Sequence, residues 1–493
     1  FPNTVFEFQS NNIIPELSSY PYKQYGVFFE LILIIVIEIL FDLKNFGEIF
    51  YARHLLTNFL FISSLIFFYF TVLEIFKNRY FPILAVLILY TSPRIFAESF
   101  YNNKDIVFMS FFICATYFAI KFLNKFSYKN ALFFALALTI AVNIRVIGIY
   151  LLLIFLIFSF FKILTKKKEE KYYKVFIFFL FAHLIFLFSF WPFLWESPLE
   201  NIIYSLKSFS KYEWGLNVFY LGNFYLDEYL PWHYFYILFI ATTSLFLTFI
   251  IFVGLLIVIF FFFKRFIKID ENKFNNDIWK SDKERNILFL FFSVFSPLFL
   301  IYLFDSIIYS GWRHLYFIFP SLIILGIYSI DYLKTVTRKK SFKKLLVFIL
   351  VLIVVNNIYN LIRLHPYQYV YFNTFFEKRA NDLFEIDYWG VANKQALIDI
   401  VNLNSTKDKI VVGVASFANL NLSKKMLSQK LKNKIIIAGQ NYENTDFIFN
   451  NNYSEVNPKA DNKYLIPSSY KKHFFLKKGE IIIYEIYKKD GTL

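Results

Sequence analysis

The chain has 493 residues, of which 58% are hydrophobic and 18% charged, and its mean hydropathy is +0.49. This composition excludes an ordinary soluble globular protein and is typical of a protein that crosses a membrane several times. The net charge of +16 does not indicate nucleic-acid binding, because the basic residues lie in short clusters between apolar runs, as in cytoplasmic loops. A single cysteine, Cys114, excludes an intrachain disulfide and a thiolate metal site.

Residues 1–54 are interpreted as one loop on the outer side of the membrane. The apolar run at 26–41 contains Glu30 and Glu38, and a span there would put 42–54 on the wrong side for the next span. We therefore predict an interfacial helix at 26–41, lying along the outer surface, and expect an earlier span before Phe1.

Ten apolar runs predict a transmembrane bundle over residues 55–362. Two of them, 80–92 and 130–143, are shorter than the ~20 residues that a straight span needs. Each indicates either a short helix that ends at a cavity or a longer helix whose ends differ from those of the apolar run. The ten runs lie at 55–76, 80–92, 106–124, 130–143, 146–164, 175–193, 236–263, 286–304, 315–331 and 345–362.

Three Lys/Arg clusters set the orientation of the bundle. They lie at 165–174, 264–285 and 331–344, and the positive-inside rule places them in the cytoplasm. Counting spans outward then predicts that the opposite, outer face carries 93–105, 194–235, 305–314 and everything after 363.

The composition changes near residue 395. "NKQALIDIVNLN" (393–404) is typical of a helix, whereas "KIVVGVASF", "KIIIAG", "DFIFNN" and "EIIIYEIYKK" are short β-branched or aromatic runs between polar turns. The predicted fold class is therefore an all-α polytopic membrane protein with a small extracytoplasmic α/β domain at residues 363–493.

The outer segments hold most of the unusual polar residues. Ionisable groups at a membrane boundary are costly unless they are paired or hydrated, so a convergent set on one face is a site hypothesis. The set consists of Arg94, Glu98, Asn102, Asn103, Lys104, Asp105, Arg145, Glu196, Trp232, His233, Arg313 and His314.

Each member of this set also has a simpler interpretation. Arg145 could snorkel from a helix end, the tryptophans could form an interfacial aromatic belt, and His233 could cap a helix. Asp105 opens an apolar helix and could serve only its dipole. Glu98 and two amides within seven residues exceed any capping need, and this favours a site.

Six motifs carry a family resemblance. They are "SPRIFAESFYNNKDIVF" (92–108), "WPFLW" (191–195), "LPWHY" (230–234), "GWRHLYF" (311–317), "HPYQYVYFN" (365–373) and "FEIDYWG" (384–390). In this order, over roughly residues 20–395, they resemble the motifs of bacterial family-39-type, phospholipid-carrier-dependent glycosyltransferases, relatives of protein O-mannosyltransferases and of the lipid A aminoarabinose transferase.

The resemblance implies a GT-C fold, a helical bundle in the bacterial inner membrane with its active site facing the periplasm. Such enzymes take a sugar from a polyprenyl-phosphate carrier and pass it, with inversion, to a lipid, glycan or protein acceptor. An acid in the first outer loop, often part of an Asp-Glu pair, is expected upstream of Phe1.

Roles for the individual residues follow from this chemistry. Catalytic carboxylates are predicted at Asp105 and Glu98, and guanidinium forks suit a donor phosphate. Two acids and a His could also hold a divalent cation, and the spacing leaves metal use open. Donor phosphate binding is predicted for Arg313, His314, Arg145 and Arg94, and acceptor or sugar binding for Asn102, Asn103, His233, Trp232 and Glu196.

Two other functions stay open. A lipid or glycolipid transporter tends to show inverted repeats and polar residues near the midplane of its spans, whereas here the polar residues crowd one face and no repeat is evident. A catalytically inactive GT-C-like scaffold would lack the acid of the first outer loop.

Overall fold

The computed structural model describes residues 26–165, 170–210, 215–267, 278–458 and 460–490. Within these ranges eight helices are long and apolar enough to cross a membrane, or nine if the bent pair Tyr80–Thr91 and Pro93–Tyr101 is one span. The shorter apolar helix Tyr128–Ile144 corresponds to the predicted run at 130–143 and completes the set of ten. The predicted fold class, a multi-pass helical bundle with a small C-terminal sheet region, is confirmed.

The helices are numbered in chain order. They are α1 (Phe28–Ile34), α2 (Phe46–Phe76), α3 (Tyr80–Thr91), α4 (Pro93–Tyr101), α5 (Asp105–Asn124), α6 (Tyr128–Ile144), α7 (Ile149–Thr165), α8 (Glu170–Phe190), α9 (Pro198–Ser210), α10 (Tyr234–Ala241), α11 (Leu245–Ile267), α12 (Asp282–Leu303), α13 (Phe319–Val336), α14 (Lys340–Arg363), α15 (Ala380–Leu383), α16 (Asn393–Leu403), α17 (Leu420–Lys425) and α18 (Gln429–Lys434). A 3-10 helix, Arg313–Ile318, leads into α13.

The run predicted as an interfacial helix begins as α1 and continues as a π-helical segment, Ile35–Leu40. One stripe of it is buried, at Phe29, Leu33 and Ile37. Its start is fixed by α6, because the Gly26 N–H donates to the Asn143 carbonyl (2.8 Å). Its orientation along the membrane surface stays a prediction, and residues 1–25 lie outside the described ranges.

The first long helix begins earlier than predicted. The prediction placed the start of the span at residue 55, whereas α2 begins at Phe46 because the Asn45 side chain accepts a hydrogen bond from the Gly47 N–H and caps the helix. A helix of 31 residues is about 46 Å long, which exceeds the ~30 Å hydrocarbon core. Its first turns therefore extend beyond the apolar layer and reach the C-terminal domain, where Lys394 donates to the Tyr51 hydroxyl (2.9 Å).

The segment 93–105 was predicted as a loop, and this was wrong for most of its length. Helix α3 ends at Thr91 and the chain bends by 65° into α4. Ser92 is extended (φ −61°, ψ 114°), as a residue before proline prefers, and Pro93 starts the new helix, where its missing N–H costs nothing. The bend carries Glu98 into the interior, and only residues 102–104 connect α4 to α5.

The C-terminal domain contains a five-stranded mixed sheet with strand order β4-β3-β5-β7-β6. Strand β3 is parallel to β4 and β5, whereas β7 is antiparallel to β5 and β6. The strands are β3 (Ile410–Val414), β4 (Ile435–Gly439), β5 (Phe447–Asn450), β6 (Tyr470–Lys478) and β7 (Ile481–Lys489).

Two features of the sheet structure were not predicted. Strand β6 is lysine-rich, which is typical of a protected sheet edge but weakens the hydrophobic signal. The outer loop 194–235 contains a hairpin of β1 (Asn217–Tyr220) and β2 (Asn223–Leu226). Tyr220 forms a β-bridge with Phe384, so the hairpin joins the outer loop to the segment that leads into the C-terminal domain.

Candidate active site at the outer helix ends

One buried carboxylate brings three helices together. Asp105, at the first position of α5, is only 2% exposed. Its Oδ1 forms an ion pair with Arg145, which follows α6, and its Oδ2 lies 3.5 Å from Nη1 of Arg313. The beginning of α5, the end of α6 and the 3-10 helix before α13 therefore meet at the same end of the bundle.

Asn102 holds this carboxylate in place. Its side-chain oxygen accepts a hydrogen bond from the Asp105 N–H (2.9 Å) and caps α5. Its amide nitrogen donates to Glu98 Oε2 (2.7 Å) and to Asp105 Oδ2 (3.0 Å). Asn102 is 1% exposed, so it positions the two acids, whereas the sequence predicted that it contacts the acceptor.

The "GWRH" turn orients the side chain of Arg313. Gly311 adopts φ +76°, a conformation that favours glycine, and its N–H donates to the Tyr234 hydroxyl (3.1 Å). The indole N–H of Trp312 donates to the Thr242 hydroxyl (2.8 Å). These two anchors turn the next side chain toward Asp105. The guanidinium of Arg313 also lies over two rings, 5.2 Å from the centre of Tyr309 and 5.1 Å from that of Trp389.

We name the space beside these groups the cationic cavity. It contains about 710 Å³ of empty space, part of it open to solvent. Basic side chains converge on it from the α4–α5 connection, the α6–α7 connection and the 3-10 helix, and its other wall is apolar, from α12 and the segment after it. The lining residues are Lys104, Arg145, Arg313, His314, Ile147, Pro297, Ile301, Ser306, Ile307, Ile308, Tyr309, Leu315 and Phe317.

Lys104 is a basic residue of the cationic cavity and lies in the connection between α4 and α5. Burial, followed by the positive charge of Arg145, lowers the pKa of Lys104 from 10.5 to about 6. At neutral pH the amine is therefore largely uncharged, and a bound anion would favour its protonation.

Glu98, predicted as a second catalytic acid, does not line the cationic cavity. It is completely buried, and its Oε1 accepts hydrogen bonds from the hydroxyls of Tyr316 (2.7 Å) and Tyr388 (3.0 Å). Tyr316 belongs to the bundle and Tyr388 to the "FEIDYWG" motif. The carboxylate therefore links α4 to the bundle and to the segment that carries Trp389.

Arg94 is also displaced from its predicted role. Its guanidinium lies over the Phe372 ring (4.9 Å) and its Nε donates to the Tyr371 carbonyl (3.5 Å). It is 4% exposed and not among the residues lining the cationic cavity. It joins α4 to the "HPYQYVYFN" motif.

The remaining predicted acceptor residues are dispersed. Trp232 is 73% exposed and lines a second space, the aromatic cavity. The ring of His233 pairs with the Tyr220 hydroxyl (2.7 Å), and Glu196 is exposed in the turn before α9. Glu196, His233 and Asn103 line neither the cationic nor the aromatic cavity.

The aromatic cavity continues from the cationic cavity, since Ile301, Ser306–Ile308 and Leu315 line both. Its walls carry aromatic rings of α10 and α12 together with three acids. The residues it does not share are Asp227, Glu228, Leu230, Pro231, Trp232, Tyr234, Phe235, Tyr236, Leu298, Tyr302 and Asp305.

A third space, the interdomain cavity, lies between the bundle and the C-terminal domain. Tyr309 and Arg313 line both it and the cationic cavity. Asp387, Tyr388 and Trp389 of the "FEIDYWG" motif, for which the sequence predicted no role, all line this space. The remaining lining residues are Ser310, Gly390, Asn393, Phe417, Ala418, Asn419, Leu422, Ser423, Asn451 and Tyr453.

Asp387 is a structural carboxylate at the wall of this cavity. Its oxygens accept hydrogen bonds from the N–H groups of Val391 (2.9 Å) and Ala392 (3.2 Å). Burial is the larger influence and raises the pKa of Asp387 from 3.8 to about 6.

Metal use is not supported by a ligand cluster. In the described part of the chain, no group of three or more His, Cys, Asp or Glu side chains could hold a metal ion. Both carboxylate oxygens of Asp105, the predicted acid nearest to the cations, are already paired with arginines.

The bundle and its cavity define a class, a multi-pass membrane protein with a cationic site at one end of its helices. Residues 35–195, about a third of the chain, match the family model described as dolichyl-phosphate-mannose-protein mannosyltransferase. Over these residues the chain is similar to that family of membrane glycosyltransferases, in line with the resemblance that the motifs carry.

Two solved structures are also similar to the chain. The crystal structure of ArnT from Cupriavidus metallidurans bound to undecaprenyl phosphate shares 10% identity, with a TM-score of 0.41, over 94% of this chain and 88% of that chain. The apo structure of the same protein shares 10% identity, with a TM-score of 0.43, over 98% and 91%. No curated protein matches the chain.

Proposed function

We propose that this protein transfers a sugar from a polyprenyl-phosphate carrier to an acceptor at the periplasmic face of a bacterial inner membrane. The observation that carries the proposal is the cationic cavity, where Arg145 and Arg313 flank one carboxylate beside Lys104 and His314. Two guanidiniums and one carboxylate leave an excess of positive charge, which suits a phosphate.

The adjoining aromatic cavity suits the carrier's hydrocarbon chain. The shared residues Ile301, Ile308 and Leu315 form an apolar wall that continues from one cavity into the other. A polyprenyl phosphate has a charged head and an apolar tail, so the cationic cavity suits the head and this apolar wall suits the start of the tail.

The reaction needs little from the protein except charge placement. An acceptor hydroxyl or amine attacks the anomeric carbon, the bond from that carbon to the phosphate oxygen breaks, and the carrier phosphate leaves with the electron pair. The acceptor's proton is released to solvent, because Asp105 and Glu98 are both buried and already paired. Negative charge that develops on the leaving phosphate is stabilised by the two arginines, and attack from the opposite face inverts the anomeric carbon.

Asp105 has a positioning role in this scheme. Both of its oxygens face guanidiniums and it is 2% exposed, so an acceptor proton has no direct path to it. It fixes the two arginines at the separation that the phosphate needs. Glu98 accepts hydrogen bonds from two tyrosines and from Asn102, and these bonds hold the end of α4 beside Asp105.

Binding of the carrier tests the proposal directly. We expect the purified protein in detergent to bind undecaprenyl phosphate saturably, and to bind undecaprenol, which has the same tail without the phosphate, at least about tenfold more weakly because charge-assisted contacts are lost. Native mass spectrometry measures both. Equal affinity for the two lipids would contradict a phosphate site.

Lys104 makes carrier binding depend on pH. With a phosphodiester donor, whose own charge is constant between pH 5 and 8, we expect affinity to rise about tenfold as the pH falls from 8 to 6 and to level off below about pH 6. The bound anion favours the protonated form of Lys104. Above pH 6 the free protein holds Lys104 mostly unprotonated, so binding must take up a proton and becomes weaker as the pH rises.

Two variants separate Lys104 from its titratable neighbour. Lys104→Met should remove the pH dependence, whereas His314→Gln should retain it. The same dependence in Lys104→Met as in the wild type would show that another group is responsible.

A further inference from the structure

We propose that the interdomain cavity is the acceptor subsite and that it binds an uncharged carbohydrate. This inference rests on the proposed function, since it names the acceptor for the donor site described above. The cavity adjoins the cationic cavity through Arg313 and Tyr309, so a ligand in it would lie beside the donor phosphate.

The position of the cavity suits an acceptor. Arg313 and Tyr309 line both cavities, and the Arg313 guanidinium lies 5.1 Å from the centre of the Trp389 ring. A donor phosphate held by Arg313 and an acceptor against Trp389 would therefore meet where the two cavities adjoin. Transfer requires this proximity of the two reactants.

Two residues that line the cavity, Trp389 and Asn393, each carry a buried polar atom. Nε1 of Trp389 is a donor and Oδ1 of Asn393 is an acceptor, and the described residues supply neither with a hydrogen-bond partner. Asn393 is 3% exposed. Buried polar atoms are nearly always paired, and a hydroxyl can both donate and accept, so one hydroxylated ligand could satisfy both atoms.

The rest of the cavity wall combines polar side chains with an aromatic ring. Side-chain amides and hydroxyls come from Asn419, Ser423, Asn451 and Tyr453, and Phe417 is 43% exposed with its ring at the cavity. Sugars present C–H groups on one face and hydroxyls around the edge, which suits an aromatic ring surrounded by amides and hydroxyls.

The charge of the lining favours a neutral ligand. Among the described lining residues, the one basic side chain is Arg313, which the donor phosphate would engage, and the one acidic side chain is Asp387, which accepts two backbone N–H groups. An anionic or cationic acceptor would therefore lack a dedicated counter-charge in this cavity.

Two conservative variants test the subsite. Trp389→Phe keeps a ring over Arg313 and removes the indole N–H, and Phe417→Ala removes an exposed ring. The probes are maltotriose, mannotriose and chitotriose, and binding is measured by saturation-transfer difference NMR. For the trisaccharide that the wild type binds, we expect each variant to raise Kd about five- to tenfold. The control is Phe475→Ala, an equally exposed ring (49%) on β6 of the same domain, which should bind like the wild type.

The donor side separates the two proposals. Phe417→Ala, whose ring is not one of the two that lie over Arg313, should retain the wild-type Kd for undecaprenyl phosphate within about twofold. Failure of the wild type to bind undecaprenyl phosphate would overturn the proposed function, whatever the saccharide results. The subsite proposal is overturned if none of the trisaccharides binds, if the variants bind as the wild type does, or if a serine- and threonine-containing peptide occupies the cavity in their place.

Discussion

Replacing Arg313 by glutamine is expected to lower the rate of sugar transfer by about 10²–10³-fold, the loss typical of removing one preorganised donor from a developing negative charge. Arg313 lines both the cationic and the interdomain cavities and contacts Asp105, Tyr309 and Trp389. Glutamine keeps a planar amide that can lie between the two rings, but it removes the charge and the bidentate fork.

The reaction is measured with a radiolabelled polyprenyl-phosphate sugar in proteoliposomes. A matched control is Arg265→Gln, because Arg265 is also a partly buried helix arginine paired with a carboxylate, Glu284 at 3.0 Å, but at the other end of the bundle. We expect the control to stay within about threefold of the wild type. Arg313→Lys, which restores charge without the fork, should recover only part of the rate. Wild-type turnover by Arg313→Gln would remove Arg313 from the site.

The bundle could be predicted from the sequence because its signals are local. Apolar length determines most spans, and the bounds of α5, α13 and α14 differ from the prediction by a few residues. Counting spans predicted that Arg145 and Asp105 lie on the same face of the bundle, and in the structure these two side chains form an ion pair. The orientation of that face toward the periplasm stays a prediction.

The details that the sequence did not predict depend on tertiary contacts. The motif "SPRIFAESF" contains a proline, a residue that often ends or bends a helix. Whether the chain beyond it is a loop or a buried helix depends on Tyr316 and Tyr388, which are far away in sequence and donate hydrogen bonds to Glu98. The β1–β2 hairpin is likewise tied to Phe384, more than 150 residues away. An interaction of this range leaves no periodic pattern.

The same contacts explain why the C-terminal domain adjoins a site in the bundle. Glu98 accepts from Tyr388, and the next residue, Trp389, covers Arg313. The chain of contacts Glu98, Asn102, Asp105 and Arg313 therefore joins the "FEIDYWG" segment to the donor cavity along two routes. A shift of the C-terminal domain would move Trp389 and loosen Glu98 together.

Asp105→Asn is expected to abolish measurable transfer and also to destabilise the protein by about 3–5 kcal/mol, the cost of leaving buried charges without their partner. If Asp105 served only the helix dipole, the simpler interpretation of its position in the sequence, its replacement would cost no more than about 1 kcal/mol. The structure changes that expectation, because Asp105 is the shared counter-charge of Arg145 and Arg313 and is 2% exposed. Thermal unfolding in detergent and transfer in proteoliposomes measure the two effects separately.

A double variant distinguishes a counter-charge from a catalytic acid. In Asp105→Asn with Arg145→Met, one of the two uncompensated guanidiniums is gone, so we expect part of the lost stability to return. Transfer should remain absent, because the phosphate then has one guanidinium fewer and the other is no longer oriented. If the double variant is no more stable than Asp105→Asn alone, the two side chains are not coupled as the ion pair requires. If Asp105→Asn is as stable as the wild type and still inactive, the carboxylate acts in the chemistry itself and its positioning role is refuted.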